Sequence, residues 1–174
     1  MNKLGAKQLR KSEPTKDELK KIKRNPIYLV LDRIIDTYNV GSLFRLADAI
    51  AVEKMYLCGD MEYPPASRIH KAAVGTENWV PWGAKSSTLK AVKELKKKGV
   101  QIIAVEQNKR AISYKDIKPK FPLALVVGHE TKGIEEKVLK EADVIVELPM
   151  YGINKSFNVW GSATVVAYKV LEFI

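Results

Sequence analysis

Polar side chains that could do chemistry follow an apolar run near residue 125. The segment 128–133 places Glu130 between two glycines, Gly128 and Gly133, directly after the apolar residues 123–127. Glycines permit a tight turn and a close approach of the backbone to a ligand. The segment lacks the GxGxxG spacing and the Gly-Lys-Ser/Thr ending of a P-loop, which disfavours dinucleotide and triphosphate sites. An ordinary strand-to-helix turn with two glycines is the alternative.

A second polar cluster lies in the segment 148–159. Its Pro149 and Gly152 predict an irregular loop after a strand. Ser156 and Asn158 are expected at the start of the last helix, where polar side chains cap free N–H groups. Capping accounts for one of these two residues. Because both flank Phe157 at the mouth of the same expected crevice, the pair indicates a binding site.

A third cluster, residues 39–45, lies far upstream and contains Asn39, Gly41 and Arg45. A helix start with Asn39 as its cap and Arg45 on a solvated face would also explain this pattern. Its chemical interest depends on whether the fold brings it to the other two clusters.

The elements around these clusters alternate between strands and helices. Apolar runs predict strands at 27–31, 54–58, 100–106, 123–127 and 144–147, and an edge strand at 79–82. Helical spacing predicts helices at 42–51, 68–74, 86–98, 134–141 and 156–173, with a loop at 59–67. This alternation predicts an α/β fold with an open, mostly parallel sheet and helices on both faces. Ligands bind such sheets beyond the carboxyl ends of the strands, where all three clusters are expected.

The charge of the chain is concentrated at its N-terminus. The net charge is +10, and residues 1–25 hold nine lysines or arginines against three acidic residues. We therefore expect a basic N-terminal extension over 1–25, partly helical at best with a break at Pro14, and one folded domain over 26–174. Basic segments of this kind suit a phosphate backbone, although a solvated, disordered tail is the alternative.

Several classes of site are disfavoured by what the chain contains. It has one cysteine, Cys58, and two distant histidines, so we expect no internal disulfide and no metal site. Cys58 lies in an apolar run and is predicted to be a buried small residue. The N-terminus has no apolar signal core, and no apolar run reaches the roughly 20 residues that span a bilayer. These features predict a soluble, cytoplasmic protein.

Together, the three clusters resemble the three motifs of the SpoU (TrmH-type) RNA ribose methyltransferases. The family patterns are N-x-G-x-x-x-R, G-x-E-x-x-G and I-P-M-x-G-x-x-x-S-L-N-V, and they match at residues 39–45, 128–133 and 148–159. The third match departs from the pattern at Leu148 and Phe157, which stand where the family has isoleucine and leucine. The resemblance covers about 26–173. It implies the SPOUT fold with a C-terminal trefoil knot, a homodimer joined through the first and last helices, and S-adenosylmethionine as cofactor.

The resemblance also implies roles for individual residues. Arg45 is implied to be the main catalytic residue and Asn39 its support, while Glu130 organises the site at the dimer interface. Ser156 and Asn158 are implied to contact the cofactor or to hold catalytic groups. The implied cofactor-binding residues are Gly128, Glu130, Leu148, Met150, Ser156, Phe157 and Asn158.

The implied acceptor is a ribose 2′-hydroxyl, which only RNA provides. Because an arginine with a pKa above roughly 12 is a poor base, we expect Arg45 to bind a neighbouring phosphate and stabilise the developing alkoxide. Asn39 would orient it. Candidate RNA-contacting residues are Arg24, Arg45, Arg68 and Lys71. The aromatic residues Tyr63, Trp79 and Trp82 could stack on bases or pack in the core.

Three other functions compete with ribose methylation. One is a SPOUT enzyme that methylates a base nitrogen, and another is a non-catalytic RNA-binding protein of the same fold. The third is a flavodoxin-like nucleotide-binding domain, although the segment after the first strand is too poor in glycine to cradle a phosphate. Many members of the family that the chain resembles carry a separate N-terminal RNA-binding domain, and an extension of about 25 residues is too short for one. Compact members commonly modify tRNA, so the resemblance favours tRNA over rRNA as the substrate.

Overall fold

The computed structural model describes residues 3–174, which form seven strands and seven α-helices. The strands are β1 Asn25–Asp32, β2 Val52–Cys58, β3 Trp82–Lys85, β4 Gln101–Val105, β5 Ile112–Ser113, β6 Leu123–Gly128 and β7 Val144–Glu147. The helices are α1 Ala6–Leu9, α2 Lys16–Lys21, α3 Thr37–Ala49, α4 Ser67–Ala73, α5 Thr88–Lys97, α6 Glu136–Leu139 and α7 Val159–Leu171. Short 3₁₀ turns occupy Thr76–Asn78 and Tyr114–Asp116.

The seven strands form a single sheet in the order β3-β2-β1-β6-β4-β7-β5, and every pairing is parallel. One core lies between the sheet and the helices α3, α4 and α7, and a second lies between the sheet and α5 and α6. The central strand β6 is buried along its whole length, as expected for an apolar strand covered on both faces. The prediction of a parallel sheet with helices on both faces is confirmed.

Some element boundaries differ from the prediction. Helix α3 begins at Thr37 because Asp36 caps it by accepting a hydrogen bond from Tyr38 N at 2.8 Å, so Asn39 is buried within the helix instead of capping it. Helix α7 begins at Val159 with Asn158 as its cap, which leaves Ser156 in the preceding loop.

Both edge strands of the sheet, β3 and β5, also differ from the prediction. The strand predicted at 79–82 forms instead at Trp82–Lys85, because the N–H groups of Trp79 and Val80 donate to Thr76 O in the preceding 3₁₀ turn. Strand β5 was not predicted, since two residues are too few to show a periodic pattern.

The N-terminal extension folds as two short helices on either side of Pro14, in agreement with the prediction that it is partly helical. It packs on the rest of the chain near Trp79, whose Nε1 donates to Ser12 Oγ at 3.0 Å. A Cβ at Gly75 would overlap the Leu9 carbonyl group, so backbone meets backbone at this contact. The domain boundary at residue 25 stays a prediction.

Cys58 is fully buried, as predicted, and burial together with the negative charge of Asp32 raises its pKa to about 12. Within residues 3–174, no helix combines the length and apolar character needed to span a membrane. No group of three or more His, Cys, Asp or Glu side chains in this described part is arranged to hold a metal ion. The trefoil knot stays a prediction that this strand order is consistent with.

Candidate active site

A cavity of about 530 Å³ opens at the carboxyl ends of β4, β6 and β7. Val105, Val127 and Val146 form its apolar floor, one from each strand. The remaining lining residues come from the loops after these strands and the start of α7: Glu106, Gln107, His129, Glu130, Thr131, Gly133, Glu147, Leu148, Met150, Asn154, Ser156, Phe157, Asn158, Val159 and Ser162. The motifs at 128–133 and 148–159 therefore line one cavity, as expected for loops at one edge of a parallel sheet.

A chain of side-chain hydrogen bonds joins all three motifs beside this cavity. Asn39 Nδ2 donates to Glu130 Oε1 at 2.9 Å, and Asn158 Nδ2 donates to Asn39 Oδ1 at 3.1 Å. Asn158 Oδ1 in turn accepts from Trp160 N at 3.0 Å and caps α7. Both polar atoms of the buried Asn39 amide are thereby satisfied. Asn39 thus positions Glu130 and Asn158, whereas the sequence had suggested that it would orient Arg45.

Glu130 accepts two further hydrogen bonds from the start of α3. The backbone N–H groups of Ile35 and Asp36 donate to its two carboxylate oxygens at 3.1 and 3.0 Å. Burial by itself raises the pKa of Glu130, but the hydrogen bonds from Asn39 and from backbone N–H groups outweigh burial and hold the pKa below its ordinary value. A charged Glu130 therefore ties the loop after β6 to α3.

Glu106, which the sequence analysis did not single out, shapes the cavity from the end of β4. Its Oε2 accepts from Ile134 N at 2.8 Å and its Oε1 from Gln107 N at 3.0 Å. Gly133 has φ +65°, and a Cβ there would overlap Glu106 Oε2. The second glycine of the motif is therefore needed for its backbone conformation and for the approach of a carboxylate. Glu106 is the last residue of the strand predicted at 100–106, and a carboxylate at the carboxyl end of a strand was the available signal.

Phe157, which replaces the family leucine, packs against a glycine on α7. A Cβ at Gly161 would lie 2.6 Å from Phe157 Cε1, so the absence of a side chain at residue 161 makes room for the phenyl ring. The loop before it is held to the β4 side of the cavity, because Gln107 Nε2 donates to Lys155 O at 2.7 Å.

A buried carboxylate at the end of β1, that of Asp32, holds the turn after β6 through hydrogen bonds. Asp32 pairs with Gly128 in the sheet and accepts from Glu135 N at 3.1 Å and from the Thr88 hydroxyl. It also forms an ion pair with Arg33 at 3.0 Å. These bonds hold the turn after β6 between β1 and α5.

Some residues implied by the resemblance lie outside the cavity. Gly128 is buried beneath it, where a Cβ would overlap Ile134 N, and it does not line the cavity. Arg45 is exposed on α3 and does not line it either. Arg24 is directed toward the protein, since its guanidinium donates to the carbonyl oxygens of Val52 at 3.2 Å and Trp79 at 2.9 Å.

The remaining candidate RNA contacts differ in exposure. Arg68 and Lys71 are exposed on α4 and free to meet a large ligand. Trp79 is buried and Trp82 packs edge-on against Phe44, so these two rings belong to the core. Tyr63 is half exposed beside Trp82.

Comparison with protein families finds a match to the SpoU rRNA Methylase family over residues 26–168. The chain is 28% identical over 145 residues to a protein from Bacillus subtilis named as a TrmH family tRNA/rRNA methyltransferase, and 30% identical over 142 residues to one so named from Staphylococcus haemolyticus. These matches cover 83% and 82% of the chain but 58% and 57% of the relatives. The chain thus spans little more than half the length of these relatives.

Solved structures share the fold. An AdoMet-bound rRNA methyltransferase from Sinorhizobium meliloti superposes with a TM-score of 0.81 at 23% identity, covering 95% of this chain and 60% of that one. The TrmH/SpoU tRNA modifying enzyme of A. aeolicus gives a TM-score of 0.78 at 24% identity, with 96% and 81% coverage. A structure described for 2-OH methylation of C/U34 on tRNA gives 0.76 at 22% identity, with 85% and 97% coverage.

Proposed function

Because the chain belongs to the SpoU rRNA Methylase family, we propose that it transfers a methyl group from S-adenosylmethionine to a ribose 2′-hydroxyl of RNA. The observation that carries the proposal is the hydrogen-bonded chain from Glu130 through Asn39 to Asn158 at the edge of the cavity, which unites the three motifs. The preferred substrate is tRNA, with rRNA as the alternative. A fold match over 97% of a structure described for 2-OH methylation of C/U34 on tRNA supports that preference.

The cavity suits the proposed cofactor in size and in lining. Its volume of about 530 Å³ falls within the range of roughly 300–1,000 Å³ common for small-molecule sites. Leu148, Met150 and Phe157 would hold an adenine ring by apolar contact. Ser156 and Asn158 would offer polar groups to the rest of the molecule. Bound there, S-adenosylmethionine would supply an electrophilic methyl group on a sulfonium.

Arg45 would act on the RNA side of the reaction. The cofactor would supply the methyl group and keep the electron pair of the broken carbon–sulfur bond, while the ribose hydroxyl would release its proton to water. A guanidinium stabilises the negative charge that develops on the ribose oxygen and can hold an adjacent phosphate. Arg45 follows Asn39 by six residues, about 9 Å along the helix axis, on an exposed surface that RNA can reach.

The proposed active form is a homodimer. Large apolar side chains are exposed around the start of α3, along α7 and just after its end, and these two helices pack together. They are Ile35, Tyr38, Trp160, Tyr168 and Phe173, with exposed fractions of 60%, 52%, 43%, 52% and 49%. An exposed group of this kind marks an interaction surface, because covering it removes apolar area from water. A second copy would cover it and approach the Glu130 side of the cavity.

The test is a methylation assay with product identification. The protein is incubated with isotope-labelled S-adenosylmethionine and unmodified tRNA or rRNA, and the nucleosides are analysed by mass spectrometry. A 2′-O-methyl nucleoside is the expected product. A base-methylated nucleoside would overturn the ribose assignment, and calorimetry without cofactor binding would overturn catalysis altogether.

A further inference from the structure

A second cavity, of about 450 Å³, lies between the N-terminal extension and α4. It shares no lining residue with the first cavity. One wall comes from the extension and the other from the loop before α4, from α4 itself and from the turn after it. The lining residues are Arg10, Lys11, Ser12, Glu13, Pro64, Pro65, Ser67, His70, Glu77 and Asn78.

Glu77 gives this cavity a buried acceptor. Its side chain is 5% exposed, and its Oε1 pairs with His70 Nδ1. Its Oε2 is buried and has no hydrogen-bond donor among the atoms of residues 3–174. Burial of an unsatisfied carboxylate oxygen is costly. A molecule that enters the cavity, displaces the atoms that cover Oε2 and donates a hydrogen bond to it would remove that cost.

The other lining groups narrow the chemistry of such a molecule. Arg10 and Lys11 are exposed cations that suit a phosphate, and the rings of Pro64 and Pro65 offer apolar surface to a flat ring. A phosphate, a flat ring and an N–H donor occur together in a nucleotide whose base carries an exocyclic amino group.

We propose that this cavity binds one nucleotide of the RNA substrate, with cytosine as the preferred base. A carboxylate accepts well from the cytosine N4 amino group. Uracil carries a carbonyl oxygen at the same position, which would face Glu77 Oε2 acceptor to acceptor. The proposal deepens the proposed function and rests on it for the identity of the substrate as RNA.

Contacts between the N-terminal extension and residues 75–79 hold the two walls of the second cavity together. Ser12 Oγ accepts from Trp79 Nε1 at 3.0 Å, and the backbone at Leu9 and Arg10 lies against Gly75. Neighbouring residues of both segments line the cavity, namely residues 10–13 of the extension and residues 77–78 of the turn. The extension therefore supplies one wall of the nucleotide site in addition to positive charge.

Cytidine and uridine monophosphates provide a matched pair of probes. Each is titrated into the full-length ¹⁵N-labelled protein, and the indole N–H signal of Trp79 reports on the cavity wall. We expect cytidine monophosphate to shift this signal and to bind about tenfold more tightly than uridine monophosphate. Equal affinities for the two nucleotides would overturn the proposal. So would the absence of a shift with either nucleotide, which is the result expected if the cavity holds only water.

Variants distinguish the contribution of the Glu77 carboxylate to nucleotide binding from that of the cations Arg10 and Lys11. Glu77→Gln should abolish the preference for cytidine monophosphate, whereas Glu13→Gln, an exposed change on the same cavity, should keep it. The Arg10→Ala/Lys11→Ala double variant should weaken both nucleotides equally. It changes only exposed side chains, so it tests the site even if Glu77→Gln does not fold. A Glu77→Gln protein that folds and retains the preference would overturn the proposal.

The experiments test the proposed nucleotide site and the proposed methyl transfer separately. Selective nucleotide binding without methylation of any RNA would support the site and overturn the proposed function. Methylation without a preference between the two nucleotides would overturn the site alone.

Discussion

Glu130 and Asn39 are in contact although 91 residues separate them in the chain, and 119 residues separate Asn39 from Asn158. The central amide has only one arrangement that satisfies both neighbours, because its nitrogen must face a carboxylate and its oxygen must face a donor. Asn39 is therefore a positioning residue for two cavity residues. Its own side chain does not line the cavity.

At this residue scale, acid should reveal the contribution of Glu130. Its pKa is held below the ordinary value of 4.5, so the charged form stabilises the fold above that value. The stabilisation is lost as pH falls through the lowered pKa. Glu130→Gln should therefore lower the free energy of unfolding near neutral pH and give a flatter dependence below about pH 4.5. Urea unfolding at several pH values measures both effects. An exposed control, Glu136→Gln, should keep the wild-type acid slope.

Arg45 allows a second prediction at the residue scale. Arg45→Ala should reduce methyl transfer by about 10²–10³-fold, because the charge developing on the ribose oxygen loses its stabilising guanidinium. Cofactor affinity measured by calorimetry should not change, since Arg45 lies outside the cavity. Arg45→Lys should restore only part of the rate, because an ammonium lacks the planar set of donors. Full activity in Arg45→Lys with unchanged RNA affinity would contradict the role assigned to arginine.

At the scale of elements, the motif glycine Gly41 sets the distance between α3 and α4. A Cβ there would lie 2.5 Å from Ala72 Cβ and 2.8 Å from the backbone atoms Ile69 O and Ala73 N. The glycine of the motif at 39–45 thus serves helix packing, which in turn holds Asn39 in place.

Gly41→Ala should destabilise the protein, because the close atoms are mostly backbone and cannot rotate away. We expect a loss of about 1–3 kcal/mol in the free energy of unfolding, typical of overpacking, in a denaturant titration. Gly152→Ala is the matched control, since a Cβ at Gly152 meets no atom within 4 Å. An equal effect of both changes would contradict the packing role.

Gly161 and Phe157 allow a test of how the loop before α7 fits the cofactor. Gly161→Ala should displace the phenyl ring that lies 2.6 Å from the new methyl position. We expect cofactor affinity to fall by about tenfold, or ~1.4 kcal/mol, in calorimetry. Adding Phe157→Leu should recover most of the loss, because the smaller side chain leaves room for the methyl group. If the double variant binds no better than Gly161→Ala, the ring is not responsible.

At the scale of the whole molecule, the apolar surface of α3 and α7 predicts self-association. Sedimentation should give a mass near twice the 19.6 kDa of one chain. Trp160→Glu should shift the equilibrium to monomer, because a charge in a dimer interface must lose its hydration. Tyr63→Glu changes an aromatic residue of similar exposure (50% against 43% for Trp160) that belongs to neither α3 nor α7. It should leave the mass unchanged. A monomeric wild-type protein would overturn the proposed dimer.

Much of the fold was already predictable from local pattern. The apolar run that became β6 and the Ser87 cap of α5 lie in short stretches of sequence, and their physical signals are equally local. The predicted start of a helix was wrong where two nearby residues could both act as its N-cap. Asp36, and not Asn39, caps α3. A capping preference shared by both residue types does not distinguish them.

The sequence by itself determined the alternation of strands and helices, the basic extension and the residue types of the three motifs. Only the tertiary structure decided that Asn39 bonds to Glu130 and Asn158 instead of Arg45, that Gly41 serves helix packing, and that the extension forms a wall around Glu77. The physical reason is that hydrogen bonds and van der Waals contacts act over a few ångströms of space. Their partners here lie tens of residues apart in the chain.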